Sequence, residues 1–226
     1  MGLFNCNGAS SVVIAGTGGF GREMFDYLMQ SASVGGPAVA GFIDDTPEAP
    51  VPAGTGVPHL GKINDYVPLP DQVVVVAIGT VRGRRSVLER LWQHGVRTPA
   101  YIAEYVIVST SAIIGNGVVV CPYSIINRDA ALGDGVAVNV HCSVGHGAAV
   151  GSWSILSPYA ALNGDAAIGA ECFLGTRSII YPKIRIGDGC VVDTLAGVRA
   201  HAPARQMISS RGNYSVTPLR ERVEIS

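Results

Sequence analysis

Two histidines, His141 and His146, lie five residues apart in the segment NVHCSVGHG. Imidazole titrates near neutral pH, so a positioned histidine can take a proton from an attacking amine or hydroxyl group. His146 follows the aliphatic residue Val144 by two positions, and we expect it to project outward at a turn. His146 is therefore a candidate for proton transfer, with a surface histidine of the turn as the alternative.

A glycine-rich segment near the N-terminus has the spacing of a phosphate-binding turn. Gly16, Gly18 and Gly21 fit the pattern G-x-G-x-x-G between an apolar segment, 11–15, and a helical pattern. Glycines let a phosphate approach the backbone, and the start of a helix supplies amide donors. The alternative is that these glycines only permit close packing of the strand on the helix.

Two further apolar segments indicate where other ligand contacts lie. AVAGFI ends at Asp44 and Asp45, and a carboxylate there can accept hydrogen bonds from sugar hydroxyls. DQVVVVAIG ends at Gly79 and Thr80, before a helical pattern that stops at Gly95. Ligands of such folds bind at the carboxyl ends of parallel strands. The predicted binding residues are Gly18, Gly19, Phe20, Asp44, Asp45, Gly79 and Thr80.

These segments predict about half of a doubly wound α/β fold, a Rossmann-like nucleotide-binding unit over residues 1–100. Residues 46–70 carry several Pro and Gly and few periodic apolar positions, so we expect a long loop there. The half-sized unit argues against an NAD-dependent enzyme, which would need the second half of the fold.

A six-residue repeat organises the C-terminal half. Every sixth residue from Val108 to Val198 is Val, Ile or Leu, at sixteen positions without a break in register. Six fits neither the period of a helix nor that of an ordinary strand. We interpret each hexad as one short strand and one turn of a three-sided parallel β-helix with the aliphatic side chain inside. Three hexads a turn predict about five coils over residues 101–200.

The residue two positions before each aliphatic is mostly small, which suits a narrow interior. Cys142, Cys172 and Cys190 lie in this register, so we interpret them as packing residues. Glycine often follows the aliphatic residue, and we expect it to supply turn dihedrals that other residues resist. The five cysteines are odd in number and lack C-x-x-C spacing, which predicts a reduced, cytoplasmic protein.

The composition argues against two classes of partner. Charged residues make up 15% of the chain and nearly balance, with a formal net charge of −1. The chain therefore lacks the excess of positive charge that nucleic-acid-binding proteins usually have. The apolar runs fall short of the ~18 residues that a membrane span needs. The N-terminus does not resemble a signal peptide. We expect no nucleic-acid partner and no membrane partner.

The chain resembles the sialic acid O-acetyltransferase and nucleotide-sugar N-acetyltransferase subfamily of hexapeptide-repeat acyltransferases in five segments, which are GTGGFGREMFDYL, GFIDD, VAIGTVRGRR, NVHCSVGHGAAVG and CFLGTRSIIYPKIRIG. The resemblance implies an α/β Rossmann-like domain ahead of an all-β, left-handed parallel β-helix that assembles as a homotrimer. It implies acetyl-CoA as co-substrate, His146 as general base and no metal. A nucleotide-linked amino sugar would bind the N-terminal residues named above, with His141 as a further acceptor contact.

The same resemblance places acetyl-CoA between neighbouring subunits. The implied contacts are Ile155, Gly164, Thr176 and Arg185, with the N–H of Gly164 directed at the thioester carbonyl. The family usually has Asp or Glu directly after the catalytic histidine, whereas this sequence has Gly147. Asp165, about one coil further on, is a candidate substitute. Residues 201–226 form a tail longer than the family's.

Several alternatives remain open at this point. One is O-acetyl transfer to a sialic acid or related sugar. Another is a γ-class carbonic anhydrase, a trimeric left-handed β-helix whose zinc histidines have the spacing of His141 and His146, although residues 101–140 contain no third histidine. A nucleotide-sugar-binding protein without activity would account for Gly147. The prediction is N-acetylation of a nucleotide-linked amino sugar for bacterial-type glycan biosynthesis.

Overall fold

The N-terminal unit is a three-stranded parallel sheet with helices packed on it, as the sequence predicts. The computed structural model describes residues 3–4, 9–46 and 51–210. The strands β2 (Ser11–Ala15), β3 (Ala38–Ile43) and β4 (Gln72–Val76) lie in the order β3-β2-β4, and the helices are α1 (Gly19–Ser33) and α2 (Val81–Gln93). The strands are continuous apolar runs because both faces of the sheet are covered.

The long connection between β3 and β4 is mostly irregular among its described residues, which agrees with the predicted loop. It contains one 3₁₀ turn, Ile63–Asp65, and an isolated bridge between Phe42 and His59. The backbone N–H of Phe42 donates to Pro58 at 3.0 Å, so the loop runs beside β3. Residues 47–50 lie outside the described part.

The C-terminal unit is a parallel β-helix of two-residue strands, which confirms the fold predicted from the hexads. Its strands form three faces. The first face contains β5 (Tyr101–Ile102), β8 (Val119–Val120), β11 (Ala137–Val138), β14 (Ile155–Leu156), β17 (Phe173–Leu174), β20 (Val191–Val192) and β22 (Met207–Ile208). A strand near the N-terminus, β1 (Leu3–Phe4), pairs antiparallel with β5.

The other two faces repeat the same spacing. The second face contains β6 (Ile107–Val108), β9 (Ile125–Ile126), β12 (Ser143–Val144), β15 (Ala161–Leu162), β18 (Ile179–Ile180) and β21 (Gly197–Val198). The third face contains β7 (Ile113–Ile114), β10 (Ala131–Leu132), β13 (Ala149–Val150), β16 (Ala167–Ile168) and β19 (Arg185–Ile186). We call the turns from first to second face, second to third, and third to first corners 1, 2 and 3.

Successive coils pair 18 residues apart, as in Val138 against Leu156. The helix is longer than the sequence predicts, with about six coils rather than five. Strand β22 adds a rung inside the segment predicted to be a tail, because Met207 pairs with Val191 after a shortened coil of 16 residues. Residues 211–226 of that predicted tail lie outside the described part.

Both inward registers of the hexad pattern fill the core. The aliphatic residue Val144 and the small residue Cys142 are almost fully buried, and their equivalents along the helix form one cluster. Burial raises the pKa of the Cys142 thiol to about 12 and that of Cys172 to about 11. Such thiols stay protonated at neutral pH and act as packing groups.

The glycines after the aliphatic residues serve a different purpose from the one predicted. The left-handed φ angles lie two positions later in the corner, where non-glycine residues adopt them, for example His141 at 58° and Tyr159 at 64°. At Gly145 the need is space, since a Cβ there would lie 2.7 Å from the backbone carbon of Asn163 in the next coil. Close stacking of coils therefore selects these glycines.

The two units share an extensive apolar interface. Tyr101, Val119 and Cys121 of the first face belong to the same buried cluster as Val12 and Met24 of the N-terminal unit. The packing holds the carboxyl ends of the sheet strands against the first face of the β-helix, which positions the site described next.

Candidate active site

A cleft of about 600 Å³ opens at the carboxyl edge of the three-stranded sheet. The glycine-rich turn crosses it and leads into α1, with Gly18 as the N-cap residue. Backbone N–H groups at such a helix start suit a phosphate. Six of the predicted binding residues line this cleft, namely Gly18, Gly19, Phe20, Asp44, Gly79 and Thr80.

Asp44 stabilises the glycine-rich turn. Its Oδ2 accepts hydrogen bonds from the N–H of Thr17 at 2.9 Å and from the hydroxyl of Thr17 at 3.0 Å. Partial burial alone would raise the pKa of Asp44, but N–H donation from Thr46 and Thr17 outweighs burial and lowers the pKa below its ordinary value. The carboxylate is therefore ionised and fixed at neutral pH.

Asp45 has a different role from the one predicted. Its side chain pairs with Arg90 of α2 at 2.6 Å and accepts the N–H of Ile63 at 3.0 Å. It is not among the residues that line the cleft. Its contacts with Arg90 and Ile63 hold the Asp45 carboxylate outside the cleft that Asp44 lines.

A second cavity, of about 270 Å³, lies between the two units and shares Gly19, Phe20 and Gly79 with the cleft. We call it the interdomain cavity. Its remaining lining residues are Glu23, Ala137, Asn139, Ile155, Ser157 and Phe173. This wall was not predicted, although Ala137, Ile155 and Phe173 are the outward positions of successive first-face strands and so recur every 18 residues. Ile155, predicted to contact acetyl-CoA, lines this cavity.

His146 lies at corner 2 and is exposed in the single chain. Its ring packs over Gly164 of the next coil, since a Cβ built on Gly164 would meet Nε2 and Cε1 at 2.5 Å. The carboxylate of Asp165 occupies the space beside Gly147, with Oδ1 2.5 Å from where a Cβ of residue 147 would lie. Asp165 thus places a carboxylate next to the residue that follows His146.

The N–H of Gly164 takes no part in the hydrogen bonds between coils that the described residues make. Pro182 occupies the equivalent position one coil further on and has no N–H, so the β-helix does not need a donor there. The N–H of Gly164 is therefore free of inter-coil hydrogen bonds with the described residues and lies beside His146.

His141 lies at corner 1 of the coil that carries His146 at corner 2. Its ring is stacked between Tyr123, at 5.0 Å, and Tyr159, at 4.7 Å, in an exposed aromatic row. The guanidinium of Arg177 covers the other face of Tyr159 at 4.9 Å. Within one chain, the structure does not bring His141 and His146 together.

The remaining predicted acetyl-CoA contacts also lie at different corners and faces of the β-helix. Thr176 lies at corner 1, Gly164 at corner 2, and Arg185 on the exposed side of the third face. One chain alone does not form a groove lined by all of them.

Among the described residues, no group of three His, Cys, Asp or Glu side chains is arranged to hold a metal ion. No described helix is long and apolar enough to span a bilayer.

Comparisons with known proteins agree with this architecture. Residues 11–91 match the family described as PglD N-terminal domain. The acetyltransferase domain of PglB from Neisseria gonorrhoeae in complex with acetyl coenzyme A superposes with a TM-score of 0.79, at 27% identity over 88% of this chain and 97% of that one. No curated protein matches the sequence significantly.

Two further solved structures are similar. A histidine-to-asparagine variant of perosamine N-acetyltransferase from Caulobacter crescentus, in complex with CoA and GDP-perosamine, has a TM-score of 0.78 at 28% identity over 88% of this chain and 93% of that one. WeeI from Acinetobacter baumannii has the same fold, with a TM-score of 0.78 at 24% identity over 87% and 95% of the two chains.

The repeat, the fold and these relatives define the chain as a hexapeptide-repeat acyltransferase with a left-handed β-helix. Its N-terminal domain matches the PglD N-terminal domain family over residues 11–91, and the whole chain is similar to solved acetyltransferases in which such a domain precedes that helix.

Proposed function

We propose that this protein is an acetyl-CoA-dependent N-acetyltransferase that acts on a nucleotide-linked amino sugar, with His146 as general base. The observation that carries the proposal is the imidazole of His146 packed beside the unused N–H of Gly164. A base and an oxyanion donor are the two groups that acyl transfer from a thioester requires. The relatives crystallised with acetyl coenzyme A and with CoA and GDP-perosamine support this choice of substrates.

The acceptor is assigned to the two connected pockets of the N-terminal side. The diphosphate of a sugar nucleotide fits the glycine-rich turn at the start of α1. The interdomain cavity continues from Gly19 and Gly79, and its mixed lining of Phe20, Asn139 and Ser157 suits a sugar ring. The amine would then emerge near corner 1.

The chemistry follows from the two groups at corner 2. The acceptor amine attacks the thioester carbonyl as Nε2 of His146 takes its proton. The N–H of Gly164 stabilises the negative charge that develops on the carbonyl oxygen. The C–S bond then breaks, the acetyl group stays on the amine, and the proton moves from His146 to the CoA thiolate.

A homotrimer with its sites between subunits is part of this proposal. The interdomain cavity opens near corner 1, whereas His146 lies at corner 2 of the same chain. Six residues of extended chain separate equivalent positions of these corners, on the order of 15–20 Å. Corner 2 of a neighbouring chain, docked beside corner 1, would bring His146 to the acceptor and unite the scattered acetyl-CoA contacts. Cyclic symmetry gives three such sites.

A reducing, cytoplasmic location is also proposed, because the described cysteines, Cys121, Cys142, Cys172 and Cys190, are all unpaired and buried. Cys6 lies outside the described residues.

The test is CoA thiol release from acetyl-CoA with a panel of UDP-, dTDP- and GDP-linked amino sugars, in wild type and His146→Ala. We expect release with one amino sugar and a loss of roughly a hundredfold or more in the variant. Release with hydroxyl acceptors such as sialic acid instead would indicate O-acetyl transfer. Turnover that survives His146→Ala would remove His146 from the mechanism, and no turnover with any acceptor would favour a binding protein.

A further inference from the structure

Arg84, in the first turn of α2, is fully buried between the two units. Its guanidinium donates from Nε to the carbonyl oxygen of Gly135 at 2.7 Å and from Nη2 to that of Gly117 at 2.6 Å. Nη1 donates to the carbonyl oxygen of Val76. None of the ion pairs among the described residues includes Arg84.

A fully buried arginine without a carboxylate partner is unusual, because burial removes the hydration of the cation. Burial lowers the pKa of Arg84 to about 10, so the side chain is still charged at neutral pH. Three carbonyl dipoles replace water around it. The planar fork of the guanidinium fixes their relative positions, which an apolar side chain of similar size would not do.

Two of the three carbonyl groups, those of Val76 and Gly135, belong to segments that lead into opposite walls of the interdomain cavity. Val76 ends β4, and the chain continues directly to Gly79, which lines the cavity and the cleft. Gly135 lies at corner 3, directly before the strand that carries Ala137 and leads to Asn139, which line the opposite wall.

We propose that Arg84 is a positioning residue that sets the spacing of the two walls of the interdomain cavity. It thereby fixes where the acceptor's sugar is presented for transfer. The inference rests on the proposed function for its kinetic consequence, while its structural part stands on the hydrogen bonds alone.

The chain has a built-in reporter of this interface. Its two tryptophans, Trp92 of α2 and Trp153 of corner 3, lie with ring centroids 5.2 Å apart across the interface. Coupled indole rings give a near-UV circular dichroism signal that depends on their geometry. A shift of α2 against corner 3 is therefore visible without any substrate.

The test compares Arg84→Lys and Arg84→Met with Leu88→Ala. Lysine keeps the charge but loses the fork, and methionine removes both. Leu88 is fully buried on the same helix and packs against Gly117 and Gly135. Its truncation weakens the interface but keeps the guanidinium of Arg84. It serves as a control for lost stability.

We expect Arg84→Lys to raise the KM for the sugar nucleotide at least tenfold, with the KM for acetyl-CoA within twofold of wild type and an altered near-UV signal. Leu88→Ala should lower the melting temperature with little change in either KM. The same acceptor KM in wild type and Arg84→Lys would overturn the proposal, as would equal KM changes in Arg84→Lys and Leu88→Ala at matched stability. If Arg84→Met does not fold, the comparison with Leu88→Ala is made with Arg84→Lys alone.

Failure of the proposed function itself would look different. The wild-type protein would then release no CoA, yet the near-UV signal and the binding of UDP or GDP by calorimetry would still compare Arg84→Lys with wild type. An unchanged signal together with unchanged binding would overturn the positioning role independently of any turnover.

Discussion

The imidazole of His146 lies against the Cα of Gly164 in the next coil, so that a Cβ at residue 164 would lie 2.5 Å from both Nε2 and Cε1. Gly164 does not have a left-handed φ, so the need for glycine at this position is one of space. Because Gly164 has no Cβ, the ring of His146, the proposed base, can occupy its observed position.

We predict that Gly164→Ala lowers kcat by roughly tenfold to a hundredfold, because a displacement of about 1 Å at a reacting group costs that much. The melting temperature should change little, since the backbone accepts alanine. Gly197→Ala is the matched control, as its Cβ would meet only Tyr181 at an ordinary 3.5 Å. Steady-state kinetics and thermal unfolding measure both effects, and full activity in Gly164→Ala would show that the ring position is unimportant.

The carboxylate of Asp165 lies beside Gly147, where an acidic side chain at position 147 would begin. A carboxylate at the same corner, although it forms no direct ion pair with His146 in the described part of the chain, favours through space the positive charge that the imidazole acquires as it takes a proton. We predict that Asp165→Asn lowers kcat about tenfold. Adding Gly147→Asp to that variant should restore most of the loss, because Asp129 and Asp165 show that this corner position accepts aspartate at φ near 60°.

The control for that pair is Asp129→Asn. Asp129 holds the equivalent position one coil before Gly147 but pairs with Arg128 at 3.5 Å. Its substitution should leave kcat near the wild-type value. Equal losses in Asp129→Asn and Asp165→Asn would point to the general charge of corner 2 and against a specific partner of His146.

Asp44 should make stability depend on pH. Its pKa is lower in the folded protein than its ordinary value, so the ionised carboxylate stabilises the fold above about pH 4, and this contribution is lost as the pH falls through the folded pKa. Asp44→Asn lacks the titrating group. The gap in melting temperature between wild type and Asp44→Asn should therefore narrow between pH 6 and pH 3, and a constant gap would contradict the assignment.

The repeat predicted the β-helix well because its signal is local and redundant, with sixteen aliphatic positions in one register. The site residues were harder to predict, because a hexad pattern shows which residues face outward but not what covers them. Asp44 and Asp45 illustrate this, since the hydrogen bonds from Thr17 to Asp44 and the pairing of Asp45 with Arg90 appear only in three dimensions. The same holds for Arg84, because the sequence shows only that it lies within a helical pattern.

The position of His146 relative to the acceptor gives the last prediction. If one chain supplies the acceptor pockets and its neighbour supplies His146, two inactive variants should complement each other in mixed trimers. His146→Ala removes the base. Gly79→Leu fills the junction of the cleft and the interdomain cavity, where a Cβ meets no atom within 4 Å, so the variant should fold normally but exclude the acceptor.

Each variant alone should be inactive. After unfolding and refolding together in equal amounts, about a quarter of the sites would combine an intact acceptor cleft with an intact His146 from the neighbouring chain. CoA release at roughly that fraction of the wild-type rate would support sites shared between subunits. A mixture as inactive as its components, in trimers shown by mass to be mixed, would place the whole site within one chain.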